Sequence, residues 1–305
     1  MSTPAPTTSA TLLNGIAPLP HQGVIRATGE QASAFLQNQL TQDVALLPPG
    51  QARLAGWCNA KGRLLASFIV CKRSPQEFWL VCSRDLLTQT LKKLSLFVLR
   101  AKVKLADASD ELALYGLMGD ACQTIATSPS DSCFVAPLPP ADNAPRTLWI
   151  GPTGSAPTHC PALPTTQWDW AAVRSGVVTL SAPVVEAFVP QMLNYESVDG
   201  INFKKGCYPG QEVVARSQFR GAIKRRAFVG WVDGPAQAAQ EVFPAADPTQ
   251  PVGLIAQAAP TPWSGTAVIV SLQLAHAQTI NLRVGAADGP LLANLHLPYT
   301  LRDDI

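Results

Sequence analysis

The sequence predicts an α+β protein in which two mixed modules precede a small C-terminal antiparallel β-barrel. Three patterns in its 305 residues indicate this fold: a β-α-β-β-β-α order in the first hundred residues, a second strand-helix-strand pattern from near Glu111, and evenly spaced short apolar runs after Arg226. We therefore divide the chain into a disordered N-terminus, two α+β modules and a barrel. These units are predicted to cover residues 1–10, 11–108, 109–222 and 223–305.

The first module is predicted from alternating apolar strands and one leucine-rich helix. A Thr-x-x-Gln capping box, Thr28 with Gln31, marks the start of a helix that places Phe35, Leu36 and Leu40 on one face. A turn at 59–62 joins two strands into a hairpin, and leucines at helical spacing predict a second helix over 86–99. The predicted strands are 23–28, 53–58, 63–71, 78–82 and 102–105.

The second module is predicted from fewer elements separated by long loops. Strands are expected at 113–119 and 147–151, with a helix at 120–127. The segments between them are rich in Pro, Ser and Ala, which favours extended loops. Near the end of the module, Ile201 and Phe203 alternate with polar residues, which predicts a short strand.

Composition and cysteine use favour a globular protein of a reducing compartment. Apolar residues make up 47% of the chain and charged residues 14%, and the net charge is only +2. The seven cysteines are scattered and form no Cys-x-x-Cys pair, which argues against a disulfide framework and against a metal site held by this chain alone. No Lys or Arg precedes Arg26 and no apolar run reaches membrane-spanning length, so we expect a cytoplasmic protein without a membrane partner.

The stretch from Lys204 to Arg226 concentrates positive charge. It holds seven basic residues and one acid, Glu212. Such a patch suits a polyglutamyl tail, RNA phosphates or an acidic protein surface, and the alternative is a merely solvated face.

Cys207 lies inside this stretch at a predicted bend. Pro209 and Gly210 occupy the second and third positions of a type II turn, because proline presets φ and glycine accepts a positive φ. A helix is predicted to start at Gln211, with free N–H groups that suit an anion. Neighbouring cations and a helix N-terminus favour the thiolate form. The alternative is that Cys207 is a small buried apolar residue.

Several motifs along the chain resemble one family. KKGCYPGQE at 204–212, followed by VVAR and FRGAIKRR, resembles the signature of the YgfZ family of folate-binding proteins, which are linked to iron-sulfur cluster assembly and transfer-RNA modification. The family is related in fold to the T-protein of the glycine cleavage system. Further matching segments are FLQNQLTQDV at 35–44, CNAKGR at 58–63, QW at 167–168 and EAFVPQMLNY at 186–195.

The resemblance implies a T-protein-like multidomain fold, with the two α+β modules around a central folate cleft. It implies tetrahydrofolate as cofactor and iron-sulfur client or carrier proteins as partners. Cys207 would be the nucleophile, redox group or transient cluster ligand, and Lys205 and Arg216 would favour its thiolate. Residues 167–176, QWDWAAVRSG, resemble the family's helix that brings a tryptophan to the folate, and Trp168 would stack on the pterin ring. The other candidate folate-binding positions are Gln22, Tyr208, Gln211 and Glu212, the last also as a salt-bridge anchor of the loop.

The chain departs from the family pattern at two positions. Arg174 stands where many relatives carry a glutamate, and Gln22 stands where a second folate-contacting tryptophan aligns. The T-protein family also uses an aspartate in chemistry on the folate, and the matching segment here offers only Asp85. This counts against a folate-dependent one-carbon transferase, which is the alternative function. An RNA-binding module that uses the basic stretch ranks third.

Overall fold

The computed structural model describes residues 13–126, 132–221, 223–247 and 249–302. The N-terminus predicted to be disordered, residues 1–10, lies outside the described residues. The described chain forms two open antiparallel sheets and one closed barrel. The predicted α+β class with a C-terminal barrel is thus confirmed.

The chain enters the second sheet before it builds the first. Strand β1 (Gly15–Pro18) pairs with a strand of the second module, although residues 11–108 are predicted as one unit. The first sheet then has the order β3-β4-β5-β2-β6, with two helices. Its elements are β2 (Gln22–Thr28), α1 (Ala32–Gln37), β3 (Ala52–Cys58), β4 (Leu64–Ser74), β5 (Glu77–Ser83), α2 (Arg84–Ser95) and β6 (Lys104–Asp107).

The predicted capping box at Thr28 is wrong, although the helix itself is present. Thr28 is the last residue of β2 and pairs with Glu77 and Lys104, so its backbone continues the strand. Gln31 is the N-cap residue and makes no side-chain cap. Its Oε1 instead accepts the Lys102 N–H at 2.7 Å. Pairing on both edges of β2 therefore wins over the local capping preference.

The second sheet has the order β1-β7-β9-β8 and carries α4, the helix of Trp168. Strand β8 contains three prolines and lies in a stretch predicted as loop, so that prediction is wrong. Because β8 is at the edge of the sheet, its missing N–H donors break no central ladder. The elements are β7 (Leu112–Met118), α3 (Ala121–Ala126), β8 (Phe134–Ala141), β9 (Ala144–Pro152) and α4 (Thr165–Arg174).

The C-terminal barrel closes in the order β10-β13-β12-β11-β14-β15. Helix α5 (Gln211–Phe219) precedes the barrel. The side chains that point into the barrel are mainly Val, Ile and Leu. Closure leaves no free sheet edge. Its strands are β10 (Arg225–Val232), β11 (Glu241–Pro244), β12 (Gly253–Pro260), β13 (Thr266–Gln273), β14 (Leu282–Val284) and β15 (Leu291–His296).

One apolar core joins the three units. It includes Trp79 of the first sheet, Phe134 of the second and Ile269 of the barrel. Tyr195 is fully buried in this core, and its hydroxyl donates to the Val178 carbonyl at 2.6 Å. The two sheets and the barrel therefore pack as one body around a shared centre, which is where the cavity described below lies.

Candidate functional site

Cys207 sits before a type II turn, as predicted. Gly210 has φ 78° and ψ 2°, and the Gln211 N–H donates to the Tyr208 carbonyl at 3.2 Å. Helix α5 starts at Gln211, which confirms the predicted helix and extends it to Phe219.

The strand predicted for residues 201–203 is absent, so that prediction is wrong. The Asn202 side chain accepts the Lys204 N–H at 2.8 Å, and the Asn202 N–H donates to the Thr41 carbonyl at 2.9 Å. This local side-chain bond competes with a sheet ladder and turns the chain instead.

The turn after Cys207 packs against the hairpin turn at 59–62. A Cβ built on Gly210 would lie 2.4 Å from the Asn59 carbonyl oxygen and 2.6 Å from the Gly62 Cα. In return, a Cβ on Gly62 would lie 2.9 Å from Val213 Cβ on α5. Glycines at both positions let two backbones touch. Two of the segments quoted in the sequence analysis, CNAKGR and KKGCYPGQE, thus form a single contact.

Lys205 is a buried anchor of this loop. Its ammonium group donates to the carbonyls of Gln37 and Leu40, the latter at 2.6 Å, and lies 4.9 Å from the Tyr208 ring centroid. Burial lowers the pKa of Lys205 to about 8, while Asp43 and Cys207 act in the opposite direction. Burial also raises the pKa of Tyr208. Lys205 and Tyr208 therefore fix the loop that carries Cys207 onto α1.

Cys207 itself is exposed, so the alternative of a buried apolar cysteine is wrong. Arg216 and Glu212 are also exposed on α5, where both border a shallow surface depression. Within the described residues Glu212 makes no ion pair, so the predicted salt-bridge anchor is wrong. The anchoring contacts come from Lys205, because a buried ammonium needs the carbonyl partners that an exposed carboxylate does not.

The basic stretch is smaller on the surface than the sequence suggests. Lys205 is buried, and Arg226 is 3% exposed and ion-paired with the equally buried Glu196. Glu196 also accepts from the Ser197 hydroxyl at 3.0 Å. Arg226 therefore holds the barrel to the preceding loop, as a junction, and is not available to an anionic ligand.

A cavity of about 350 Å³ lies where the three units meet. Its walls include Ser67 and Phe68 of β4, Leu148 of β9 and Gln257 of β12. Ligand pockets in proteins are typically about 300–1,000 Å³, lined mostly by apolar groups with a few polar ones. This cavity has that character.

Trp168 forms part of the cavity wall, but both of its faces are covered. The Arg146 guanidinium lies 4.5 Å from the centre of the indole. On the strand side, a Cβ at Gly116 would lie 2.4 Å from the ring, so the backbone of β7 touches it. Trp168 is 1% exposed. A pterin could stack directly on this ring only after Arg146 had moved away.

Three ionisable side chains that the sequence analysis did not single out line the same cavity. Burial lowers the pKa of Arg146 to about 10, an effect that Cys122 and Asp169 partly offset. Burial raises the pKa of Asp169, against the influence of His21 and Arg146. The His21 Nε2 lies 3.3 Å from an Asp169 oxygen. Asp169 was detectable only as the neighbour of Trp168; no sequence signal pointed to Arg146 or His21.

The predicted site residues fall into two groups. Gln22 and Trp168 line the cavity, whereas Cys207, Tyr208 and the first turn of α5 do not. Of the candidate folate-binding residues, Tyr208, Gln211 and Glu212 thus lie with the thiol. The cavity and the thiol are separate features of one protein.

The departures noted in the sequence have structural partners. Arg174 donates from Nε and Nη2 to both carboxylate oxygens of Asp142, at 2.8 and 2.7 Å, and does not line the cavity. Asp142 and Asn143 have positive φ and form the two-residue turn between β8 and β9. Asp85 accepts the Ala182 N–H at 2.9 Å. Arg174 and Asp85 therefore both serve the scaffold.

Two kinds of feature are absent from the described residues. No three His, Cys, Asp or Glu side chains among them come together as a metal site. None of the helices in the described part of the chain combines the length and apolar character needed to cross a bilayer.

Comparisons with known proteins agree with this architecture. Residues 14–133 match the GCVT N-terminal domain family. A tRNA-modifying protein YgfZ from Photorhabdus laumondii is 30% identical over 253 residues, which cover 76% of this chain and 74% of the relative. A protein of the same name from Colwellia psychrerythraea is 31% identical over 223 residues, 68% of each chain. An uncharacterized protein from Haemophilus influenzae is 32% identical over 207 residues, covering 68% of this chain and 69% of the relative.

The fold also matches a solved structure. The glycine cleavage system aminomethyltransferase T from Bartonella henselae superposes with a TM-score of 0.68 at 15% identity, over 94% of this chain and 86% of that one. At this identity the likeness shows the fold alone. The predicted T-protein-like fold is confirmed.

Proposed function

Because the chain belongs to the YgfZ family, we propose that it is a folate-binding accessory protein that supports the assembly or repair of iron-sulfur clusters in client enzymes, including enzymes that modify tRNA. The observation that carries the proposal is the cavity between the two sheets and the barrel, with Gln22, Trp168, Arg146 and Asp169 in its walls. Its volume and mixed lining suit a flat bicyclic ring with polar edges. Tetrahydrofolate is the proposed ligand.

The exposed thiol is the second part of the proposal. Cys207 lies just before a turn that is held in place by the buried contacts of Lys205 and by the contact of Gly210 with the hairpin turn. Its sulfur can therefore reach a partner protein without rearrangement of the fold. One cysteine cannot hold an iron-sulfur cluster alone, so a client or carrier protein would supply the other ligands. Cys207 would then act as a transient ligand during transfer.

A binding experiment tests the folate part. Tetrahydrofolate is titrated into the wild-type protein and into Cys207→Ser by isothermal calorimetry under anaerobic conditions. We expect saturable binding with the same affinity in both proteins, because Cys207 does not line the cavity. If the wild-type protein binds no folate, the folate part of the proposal is wrong.

A complementation experiment tests the thiol. In a strain that lacks this protein, Cys207→Ser should fail to restore the activity of cluster-dependent enzymes. Cys160→Ser is the matched control, since it alters another partly accessible cysteine in a loop of the second module. Full rescue by Cys207→Ser would remove the thiol from the mechanism. Turnover of an aminomethyl donor with tetrahydrofolate by the purified protein would instead favour the alternative, a one-carbon transferase.

A further inference from the structure

The cavity contains a buried cation with an unsatisfied donor. Arg146 is 6% exposed, and its Nε has no hydrogen-bond partner among the residues that the structure describes. Its Nη1 makes one long contact of 3.4 Å to the Pro139 carbonyl. A guanidinium carries five N–H donors in a fixed plane, and leaving a buried one unmade is costly. Arg146 is thus prepared to donate to something that enters the cavity.

The cavity also contains one carboxylate that is close to Arg146 without pairing with it. Asp169 lies 3.3 Å from His21, and no ion pair joins it to Arg146 among the described residues. Each nevertheless shifts the titration of the other, so they share one electrostatic environment. Apart from His21 and the buried thiol of Cys82, no other ionisable side chain lines the described cavity. An acceptor and a donor therefore border one space without pairing with each other.

This arrangement complements one edge of a pterin. The 2-amino-4-oxo ring presents two adjacent donors, the 2-amino group and N3–H, next to one acceptor, the 4-oxo group. A carboxylate accepts from the two donors, and a guanidinium donates to the oxygen. The same surface would mismatch a ring with an amino group at position 4, because two donors would then face each other.

Resting on the folate-binding function proposed above, we propose that Asp169 and Arg146 together recognise the 2-amino-4-oxo edge of the ligand, and that Trp168 is a positioning residue that supports the Arg146 guanidinium. Asp169 accepts from the amino edge and Arg146 donates to the 4-oxo oxygen. The indole, covered by β7 on its other face, holds the guanidinium flat. Arg146 stays where it is, and the pterin ring contacts the guanidinium of Arg146 rather than the indole of Trp168.

A matched pair of ligands tests the donor. Tetrahydrofolate and tetrahydroaminopterin differ at position 4, where the first has an oxygen and the second an amino group, and as a consequence at N3, which carries a hydrogen only in the first. We expect the wild-type protein to prefer tetrahydrofolate by about ten- to a hundredfold, the range of one hydrogen bond to a charged group. Arg146→Met should lower that ratio by about tenfold and leave only the part that comes from the N3–H bond to Asp169. No preference in the wild-type protein, or an unchanged ratio in Arg146→Met, would overturn the inference.

A second variant covers the case in which Arg146→Met disturbs the fold. Asp169→Asn keeps the shape of the side chain and removes its charge. It should weaken tetrahydrofolate binding at least about tenfold, because an amide supplies only one acceptor oxygen to two donors. Far-UV circular dichroism shows whether each variant is folded. If the wild-type protein binds tetrahydrofolate and Asp169→Asn binds it equally well, the inference is wrong while the proposed function stands; if the wild-type protein binds neither ligand, the proposed function itself fails.

The supporting role of the indole has its own measurement. Trp168→Phe keeps a flat ring beneath Arg146, whereas Trp168→Leu removes it. We expect Trp168→Phe to keep the preference for the 4-oxo ligand and Trp168→Leu to lower it about as far as Arg146→Met does. Equal loss of all binding in Trp168→Phe and Trp168→Leu, with the preference unchanged in Arg146→Met, would instead assign the ring contact to Trp168.

Discussion

Substituting alanine for Gly210 should separate the Cys207 loop from the hairpin that supports it. Gly210 has φ 78°, in the left-handed region, and its Cα faces the backbone of the turn at 59–62. The added Cβ would lie 2.4 Å from the Asn59 oxygen and 2.7 Å from the Gly62 nitrogen. Both are backbone atoms, so neither can rotate away as the end of a side chain could.

The cost has two parts. A non-glycine residue in the left-handed region costs about 1 kcal/mol relative to glycine. Overpacking a tight contact adds about 1–3 kcal/mol. Together they predict a loss of about 2–4 kcal/mol in the free energy of unfolding. Gly206→Ala is the matched control on the other side of Cys207, because Gly206 lacks a positive φ and has no atom within 4 Å of its added Cβ.

Urea unfolding followed by circular dichroism gives the stability difference. We expect Gly206→Ala to stay within about 0.5 kcal/mol of the wild-type protein, as surface substitutions usually do. The alkylation rate of Cys207 should change in Gly210→Ala and stay near wild type in Gly206→Ala, since only the first moves the turn. Equal stability and equal alkylation rates in the two variants would refute the argument that the two turns are in tight contact.

Two further predictions concern buried charges. Arg226→Met should cost about 3–5 kcal/mol by leaving the Glu196 carboxylate buried without its partner, and Arg226→Met with Glu196→Leu should recover part of that loss in the same urea assay. The unfolded chain holds a proton on Lys205 up to its ordinary pKa of 10.5, whereas the folded protein releases it near pH 8. The unfolded state thus binds more protons than the folded state between pH 8 and pH 10.5, so the contribution of Lys205 to stability increases with pH. The comparison uses two proteins that both carry Cys207→Ser, which removes the neighbouring thiol, and one of them also carries Lys205→Met. We expect the free energy of unfolding of Cys207→Ser, minus that of Cys207→Ser with Lys205→Met, to rise by about 2 kcal/mol from pH 7 to pH 10. A constant or falling difference would show that Lys205 is not desolvated.

The fold was predictable wherever a local pattern and its long-range partner agree. The barrel strands and the hairpin of β3 and β4 are alternating or continuous apolar runs between turn residues. This pattern was sufficient to predict them as strands. Strand β8 was missed because its three prolines signal a loop, and only the sheet order shows that it lies at an edge. The capping box predicted at Thr28 is wrong because Thr28 pairs on both sides as part of β2, and this pairing overrides the local capping preference.

The site was predictable only in part, for a similar reason. The bend after Cys207 depends on residues that are adjacent in sequence, so Pro209, Gly210 and the start of α5 were sufficient to predict it. The buried state of Lys205 depends on the carbonyls of Gln37 at the end of α1 and of Leu40 just after it, more than 160 positions earlier in the chain. Arg146 lines the cavity because β9 pairs with β7 and the Arg146 guanidinium lies over the ring of Trp168 on α4. Such placements are set by tertiary packing and leave no local signal.

Strand β4 gives the spatial relation between the cavity and the thiol. The hairpin turn just before it touches the Gly210 turn, and its residues Ser67 and Phe68 line the cavity. Five residue steps lead from Gly62 to Ser67, and at the rise of an extended strand they span at most about 17 Å. Cys207 is exposed and does not line this cavity. In the proposed function, a ring held against Ser67 and Phe68 therefore does not touch the sulfur, and Cys207 acts on a partner that approaches from solvent. This is the reason why loss of the thiol should abolish support of client enzymes and leave folate affinity unchanged.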